Sequence, residues 1–188
     1  MSQGYKIKDQ SAAHYLTLQI VQWADIFTRK IYRDIVIESL KYCQNEKGLE
    51  IYAYVIMSNH IHVLVRSYQD NLSGTIRDFK RHTSKEIINA IAEHNESRKE
   101  WLLMIFKYAA GKHKRNNNYQ VWTHENHPEE IFSNKFIEQK INYIHMNPVR
   151  AGIVVNAEDY LYSSARNYAN LESVIDIIEV DRKWKTYC

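Results

Sequence analysis

Cysteine, proline and long apolar runs are all scarce in this 188-residue sequence. The two cysteines, Cys43 and Cys188, lie far apart, which argues against a disulfide framework and is typical of a reducing cytoplasm. No apolar run approaches the ~18 residues of a membrane span, and no basic-then-apolar leader opens the chain. With only two prolines the sequence is also unlike a disordered chain. We therefore expect a soluble, cytoplasmic protein that does not contact a membrane.

What the sequence does contain fits one folded domain. Hydrophobic residues make up 45% and charged residues 25% of the chain, and the length suits a single domain over 1–188. We place its core at about 10–148 and a C-terminal extension at about 149–188, which we expect to wrap back on the core.

The net charge of +3 does not by itself require a nucleic-acid partner. Basic side chains nevertheless cluster in two segments, at Lys80, Arg81 and Lys85, and at Lys112, Lys114 and Arg115. For Lys80, Arg81 and Lys85, a solvated charged face is at least as good an explanation as a contact with a phosphate.

The hydrophobic periodicity predicts a mixed α and β fold. Two-residue alternation predicts strands, and three- and four-residue spacing predicts helices. The predicted order is a strand at 13–21, a helix at 31–44, strands at 49–57 and from 60, a helix at 72–95, an irregular connection at 96–118 and a fourth strand from 119–122. This order is that of the α+β, ferredoxin-like fold, a four-stranded antiparallel sheet with helices packed on one face.

Two histidines, His60 and His62, flank Ile61 at the start of the third predicted strand. Alternate side chains of a strand share one face, so both imidazoles point the same way while Ile61 points into the core. Residues two apart on a strand are about 7 Å apart, and their side chains can hold one divalent ion. The pair is therefore half of a candidate metal site that lacks at least one ligand, although two surface histidines would give the same pattern.

A later helix is predicted at 134–147, with its end at Asn147 because the residue before a proline avoids helical geometry. Tyr143 and Asn147 are four residues apart and share one helix face. The Asn147 amide oxygen can ligate a hard cation, and a metal on a scissile phosphate would assist attack by the Tyr143 phenol. A tyrosine in such a helix is by itself more often structural.

Three motifs together resemble the IS200-like tyrosine transposases, most closely the REP-associated tyrosine transposase branch. They are Tyr-Val-Ile-Met-Ser-Asn-His-Ile-His-Val-Leu-Val at 54–65, Tyr-Ile-His-Met-Asn-Pro-Val-Arg-Ala-Gly-Ile-Val at 143–154 and Tyr-Leu-Tyr-Ser-Ser at 160–164. The resemblance implies a ferredoxin-like fold and cleavage and rejoining of single-stranded or hairpin DNA with Mg²⁺ or Mn²⁺. It assigns the metal to His60, His62 and Asn147, and the 5′-phosphotyrosine linkage to Tyr143.

Some positions depart from the family pattern or stay open. Ser58 stands where the family often has proline, and His145 is expected to be a surface or supporting residue rather than a ligand. His124 and His127 are explained equally well by a site role and by a polar loop. Arg150 and Arg166 are candidates for phosphate contacts or for structural ion pairs.

Two other functions remain open at this point. One is a non-catalytic or domesticated protein that binds single-stranded nucleic acid on the same fold. The other is a nickase of the rolling-circle replication initiator type, which shares the two histidines and the tyrosine. A homodimer with an active site shared between subunits is also left open.

Overall fold

A four-stranded antiparallel sheet forms the centre of the protein, which we describe from a computed structural model covering residues 6–112 and 118–180. The strands are β1 (His14–Gln19), β2 (Leu49–Ile56), β3 (His60–Ser67) and β4 (Glu129–Glu130), in the order β2-β3-β1-β4. The helices are α1 (Lys30–Lys47), α2 (Leu72–Glu93), α3 (Lys99–Gly111), α4 (Asn134–Arg150) and the single turn α5 (Ala165–Tyr168). The predicted α+β class and antiparallel four-stranded sheet are confirmed.

The register of the two central strands places the histidine pair opposite polar residues of β1. His60 lies opposite Gln19, and His62 lies opposite Thr17. Between them, Ile61 lies opposite Leu18, and both of these side chains are buried in the main core. The strand alternation inferred from the sequence is therefore present, with the imidazoles on one face and the apolar side chains on the other.

Helices cover both faces of the sheet, which corrects the prediction of helices on one face. Helices α1 and α2 pack on the face that carries Leu16, Leu18 and Ile61. Helix α4 packs on the opposite face through Ile141 and Ile144, in a smaller cluster completed by Tyr15, Ala53, Val55, Met57 and Leu64. The central strands carry apolar residues at both odd and even positions, so each face of the sheet can pack against a helix.

Helix α3 was not predicted, because residues 96–118 were expected to be irregular. Its buried side chains are Leu102, Phe106, Ala109 and Ala110. They follow one another at steps of four, three and one, which is helical spacing. The neighbouring apolar residues Leu103 and Ile105 are partly buried and also pack against the core, so the helical period is hard to recognise in the sequence.

The fourth strand is also placed differently from the prediction. Trp122 makes only an isolated bridge with Ile20, and regular pairing with β1 occurs at Glu129–Glu130. The indole Nε1 of Trp122 instead donates a hydrogen bond of 2.9 Å to Thr83 Oγ1 on α2. Trp122 therefore serves as a core side chain. The connection that contains it has a strand-like sequence because its apolar residues are buried.

Helix α4 continues through Pro148 to Arg150, where the sequence predicted an end at Asn147. The helix stops in a Schellman arrangement, in which Gly152 N–H bonds the Val149 carbonyl and Ile153 N–H bonds the Pro148 carbonyl, both at 2.9 Å. Gly152 has a φ of 69°, which glycine adopts without strain. The glycine is the stop signal, and the proline removes only one hydrogen bond from the last turns.

The C-terminal segment runs along the outer edge of β2. The backbone N–H of Ile56 bonds the Tyr162 carbonyl, and that of Ile178 bonds the Ile51 carbonyl. The part of the extension that the structure describes thus wraps back onto the sheet, as expected, and occupies a strand edge that would otherwise be open. Among the described residues, no helix is long and apolar enough to cross a membrane.

Candidate active site

The Nε2 atoms of His60 and His62 lie within hydrogen-bond distance of each other on one face of the sheet. The two Nε2 atoms are 3.1 Å apart, and the ring centroids are 4.6 Å apart. A cation with ligand bonds of about 2.1 Å and a right angle between them would hold its two nitrogen ligands about 3.0 Å apart. The spacing of the pair therefore fits two adjacent ligands of one metal ion.

Both imidazoles are neutral at physiological pH. Burial lowers the pKa of His60, and burial together with the neighbouring His60 and Lys140 lowers the pKa of His62 to about 3. A metal binds the unprotonated nitrogen of an imidazole, so ligands that stay neutral do not have to lose a proton first.

Asn59 sets the tautomer of His60. Its Nδ2 donates to the Trp23 carbonyl at 3.3 Å, which turns its Oδ1 toward His60 Nδ1 at 2.6 Å. An amide oxygen only accepts hydrogen bonds, so His60 Nδ1 carries the proton and Nε2 keeps its lone pair. A partner on the second ring nitrogen is typical of metal-binding histidines.

His62 is held from β1 by two hydroxyl groups. Its Nδ1 lies 2.7 Å from Tyr15 Oη and 3.0 Å from Thr17 Oγ1. A hydroxyl can accept as well as donate, so either can take the Nδ1 proton when Nε2 serves as a ligand. Tyr15 and Thr17 were not predicted as site residues. Their alternation with Leu16 and Leu18 was the available signal, but only the strand register pairs them with His62.

Tyr143 lies beside the histidine pair within the same chain. Its ring centroid is 5.4 Å from that of His62 and 6.1 Å from that of Tyr15, and its side chain is 40% exposed. Lys140, one turn earlier on α4, places its ammonium 4.3 Å from the Tyr15 ring centroid and pairs with Glu129 at 2.6 Å. Helix α4 therefore brings a solvent-accessible phenol and a cation to the polar face of the sheet.

Asn147 lies one turn beyond Tyr143, and its Nδ2 donates a hydrogen bond of 2.8 Å to the Tyr143 carbonyl. This contact leaves the amide oxygen as the atom that can ligate a cation. In residues 6–112 and 118–180, no group of three or more His, Cys, Asp or Glu side chains is arranged to hold a metal ion. A metal at the histidine pair would therefore take its further ligands from an amide oxygen, water or a phosphate, and the residues present fit such a site.

The predicted DNA-contacting side chains divide between the two faces. On α4, Arg150 lies over the Tyr143 ring, with its guanidinium carbon 5.3 Å from the centroid. Lys112 follows α3 and stacks on Tyr108. The three basic residues of α2 lie on the opposite side of the sheet, at Lys80, Arg81 and Lys85. Lys114 and Arg115 lie outside the described residues.

Lys80 and Arg81 already have partners within the protein. The Lys80 ammonium donates to the Thr123 carbonyl at 2.6 Å and to Asn126 Oδ1 at 2.5 Å. Burial lowers the pKa of this ammonium to about 8. Arg81 pairs with Asp78 at 3.3 Å. The buried Lys80 therefore has a structural role, whereas Arg81 is exposed and makes only a surface ion pair. Contact of either side chain with DNA stays a prediction.

Other sequence candidates are also placed by the structure. His145 is buried, with Nε2 2.9 Å from Ser164 Oγ, so it joins α4 to the C-terminal segment and is not a surface residue. Arg166 donates to the carbonyls of Glu172 and Glu158 and is likewise structural. His124 and His127 line a cavity of about 510 Å³ next to Trp23.

Trp23 is a further residue of the site that the sequence did not predict. It follows β1, its side chain is 63% exposed, and its ring centroid lies 6.5 Å from that of His60. Both Gln22 and Trp23 have left-handed backbone angles, with φ of 55° and 56°. For a bulky residue this conformation costs about 1–3 kcal/mol and is found mainly at functional sites. No local sequence pattern predicts this left-handed conformation.

The comparisons with known proteins agree with this architecture. Residues 14–140 match the model of the family described as "Transposase IS200 like". A solved structure described as "the REP associates tyrosine transposase bound to a REP hairpin" superposes with a TM-score of 0.59. It is 18% identical, over 97% of this chain and 96% of the other. No curated protein sequence matches the chain.

The chain belongs to the IS200-like transposase family, because the family match covers more than half of its length. The matched region includes both histidines and ends three residues before Tyr143. The position of the tyrosine in the site therefore rests on the geometry of α4, and the similar solved structure supports the fold.

Proposed function

We propose that the protein is a metal-dependent transposase that cuts and rejoins hairpin-containing single-stranded DNA through a 5′-phosphotyrosine intermediate. The observation that carries the proposal is the convergence of His60, His62 and Tyr143 on one face of the sheet in a single chain. A protein that only binds nucleic acid has no need of two desolvated neutral imidazoles beside an exposed phenol.

His60, His62 and Asn147 would hold the cation, of the Mg²⁺ or Mn²⁺ type. When bound, it would neutralise charge on a non-bridging phosphate oxygen and orient the phosphate for in-line attack. The remaining chemistry belongs to the side chains of the protein. Asn59, Tyr15 and Thr17 keep the imidazoles oriented, and Arg150, whose guanidinium lies over the Tyr143 ring, would contact the phosphate.

The Tyr143 oxygen attacks phosphorus, and the bond from phosphorus to the 3′ oxygen breaks. The phenol loses its proton and the leaving oxygen gains one, so the products are a 5′-phosphotyrosine and a free 3′ hydroxyl. Attack by a 3′ hydroxyl on the phosphotyrosine reverses these changes and joins strands without an external energy source. A DNA hairpin is the proposed recognition element, supported by the hairpin in the similar solved structure.

The direct test is a covalent adduct. The protein is incubated with a pool of labelled DNA hairpins carrying randomised single-stranded flanks, with Mn²⁺, and the products are separated under denaturing conditions. We expect a labelled protein band with the wild type, and a loss of at least about 10⁴-fold in Tyr143→Phe. Tyr108→Phe, an exposed tyrosine on α3, is the matched control.

Two results would contradict the proposal. If the wild type forms no adduct with any hairpin of the pool, the protein is not an enzyme of this kind. If Tyr143→Phe forms as much adduct as the wild type, the nucleophile is another residue.

A further inference from the structure

Trp23 is held at the surface by a rigid turn. The turn Val21–Trp23 is fixed by backbone hydrogen bonds from Ile20 N–H to the Asn59 carbonyl at 3.0 Å and from Val21 N–H to the Val121 carbonyl at 2.9 Å. A strained, left-handed backbone persists only where its surroundings determine it. Here the determined conformation presents an indole to solvent, where it contributes little to the core.

The indole lies directly beside the proposed cation site. Its ring meets that of His60 edge to face, with centroids 6.5 Å apart. Asn59 links the two residues, since it bonds the Trp23 carbonyl with Nδ2 and His60 Nδ1 with Oδ1. The turn that positions Trp23 and the hydrogen bond that orients His60 therefore form one unit.

A polar cavity of about 510 Å³ adjoins Trp23. Its volume lies within the range of ordinary ligand pockets. Amide, imidazole, ammonium and carboxylate groups line it, from Gln19, Gln22, Lys112, His124, Glu125 and His127. Gln19 lies opposite His60 in the sheet, so one lining residue of the cavity pairs with a histidine of the proposed cation site. These groups can form hydrogen bonds with the edge of a nucleobase.

We propose that Trp23 is the stacking platform for one unpaired base of the DNA substrate, next to the scissile phosphate, with the edge of that base in the polar cavity. The inference rests on the proposed function, since it places the nucleotide relative to a phosphate held at His60, His62 and Tyr143. Aromatic stacking tolerates any base, and the polar groups of the cavity supply the preference among bases.

The test is a double-mutant cycle between the tryptophan and the base. A hairpin cut by the wild type is taken from the randomised pool, and each nucleotide of its single-stranded flank is replaced in turn by an abasic site. Dissociation constants are measured in the Tyr143→Phe background, so that no cleavage occurs. We expect one abasic position next to the cut to weaken binding about tenfold or more.

Trp23→Ala should weaken binding of the intact hairpin by a similar factor and should remove the penalty at that abasic position, because the two changes delete the same contact. Trp23→Phe should retain most of the affinity. Trp101→Ala is the matched control, since Trp101 is exposed on α3 about 12 Å along the helix from the cavity residue Ala109. It should leave the abasic penalty unchanged.

The variant Trp23→Gly distinguishes weaker binding caused by misfolding from weaker binding caused by loss of the indole. Glycine adopts the left-handed conformation freely, so this variant should melt at or above the temperature of the wild type and still bind about tenfold more weakly. Wild-type affinity in Trp23→Gly, or an abasic penalty that persists unchanged in Trp23→Ala, would overturn the stacking inference while the adduct still forms. Absence of a Tyr143-dependent adduct would instead overturn the proposed function.

Discussion

The two faces of the sheet use the same strands for different purposes. Under α1 and α2 the strands bury Leu16, Leu18, Ile61 and Val63 in the large apolar core. Toward α4 the intervening positions carry Tyr15, Thr17, His60 and His62. Consecutive residues of one strand therefore point alternately into the large core and into the proposed site, which follows from the two-residue period of a strand.

The difference between the faces lies in how completely a helix covers them. The α4 face has a small cluster around Ile141 and Ile144, and the same helix leaves Tyr143 partly open to solvent. The histidines are buried enough to stay neutral, yet they lie beside an accessible phenol. Variants on the two faces should therefore differ in whether they affect adduct formation or stability.

The largest effect is expected on the polar face, from His62→Ala. A bound metal ion stabilises the transition state by several kcal/mol, so its loss should lower adduct formation by roughly 10³-fold or more. Hairpin binding should remain largely intact, because phosphate contacts elsewhere provide most of the affinity. Gel-shift and adduct assays on the same samples check both parts, with the exposed His82→Ala on α2 as control. Equal loss of binding and cleavage would contradict this division.

The neighbouring Ile61→Ala should show the opposite pattern. Ile61 is fully buried in the main core, so its truncation should lower the free energy of unfolding by about 2–5 kcal/mol. Urea denaturation measures this change, and Ile178→Ala, at an exposed position, should change it by less than about 0.5 kcal/mol. At low temperature, adduct formed per folded molecule should stay close to that of the wild type. A chemical defect in folded Ile61→Ala would show that the faces are not independent.

Acid should destabilise the protein through the polar face. The folded-state pKa of His62 lies at about 3, below its unfolded value near 6.5, so the unfolded chain takes up more protons below pH 6.5. Stability is then lost as the pH falls through this window, by up to about 1.4 kcal/mol per unit, or about 2 kcal/mol at pH 5 for this residue. Denaturation at pH 7 and pH 5 measures the loss. His62→Gln should reduce it, and an unchanged pH dependence in that variant would contradict the assignment.

A smaller effect is expected from Tyr15→Phe, which removes one of the two hydroxyls at His62 Nδ1. Loss of a supporting hydrogen bond typically weakens metal binding by about tenfold or more. Titration of Mn²⁺ followed by electron paramagnetic resonance measures this without DNA. Tyr52→Phe, whose hydroxyl bonds Glu50 on β2, is the control. Undiminished Mn²⁺ affinity in Tyr15→Phe would mean that Thr17 alone orients the imidazole.

Much of this arrangement follows from local sequence patterns. The two-residue alternation places His60 and His62 on one face of the strand. The four-residue step from Tyr143 to Asn147 places these two residues on one face of the helix. Gly48, with a φ of 61°, ends α1 where the sequence places the break. These features depend on the period of the strand or helix, which neighbouring residues determine.

The features that were missed depend on contacts between distant segments. Helix α4 lies on the second face because its apolar stripe meets Val55 and Leu64 there. The hydroxyls at His62 come from β1, and the left-handed turn at Trp23 is fixed by Asn59 and Val121. Such contacts are set by tertiary packing, which periodicity does not encode.

Mixing two inactive variants tests the central claim most directly, namely that one chain supplies both the imidazoles and the phenol of a site. His62→Ala keeps Tyr143, and Tyr143→Phe keeps the histidine pair. Since the Tyr143 ring lies 5.4 Å from that of His62 in the same chain, an equimolar mixture should form no more covalent adduct with the selected hairpin and Mn²⁺ than either variant alone. Restored adduct in the mixture would show that the tyrosine of one chain works with the histidines of another, and would contradict the single-chain site.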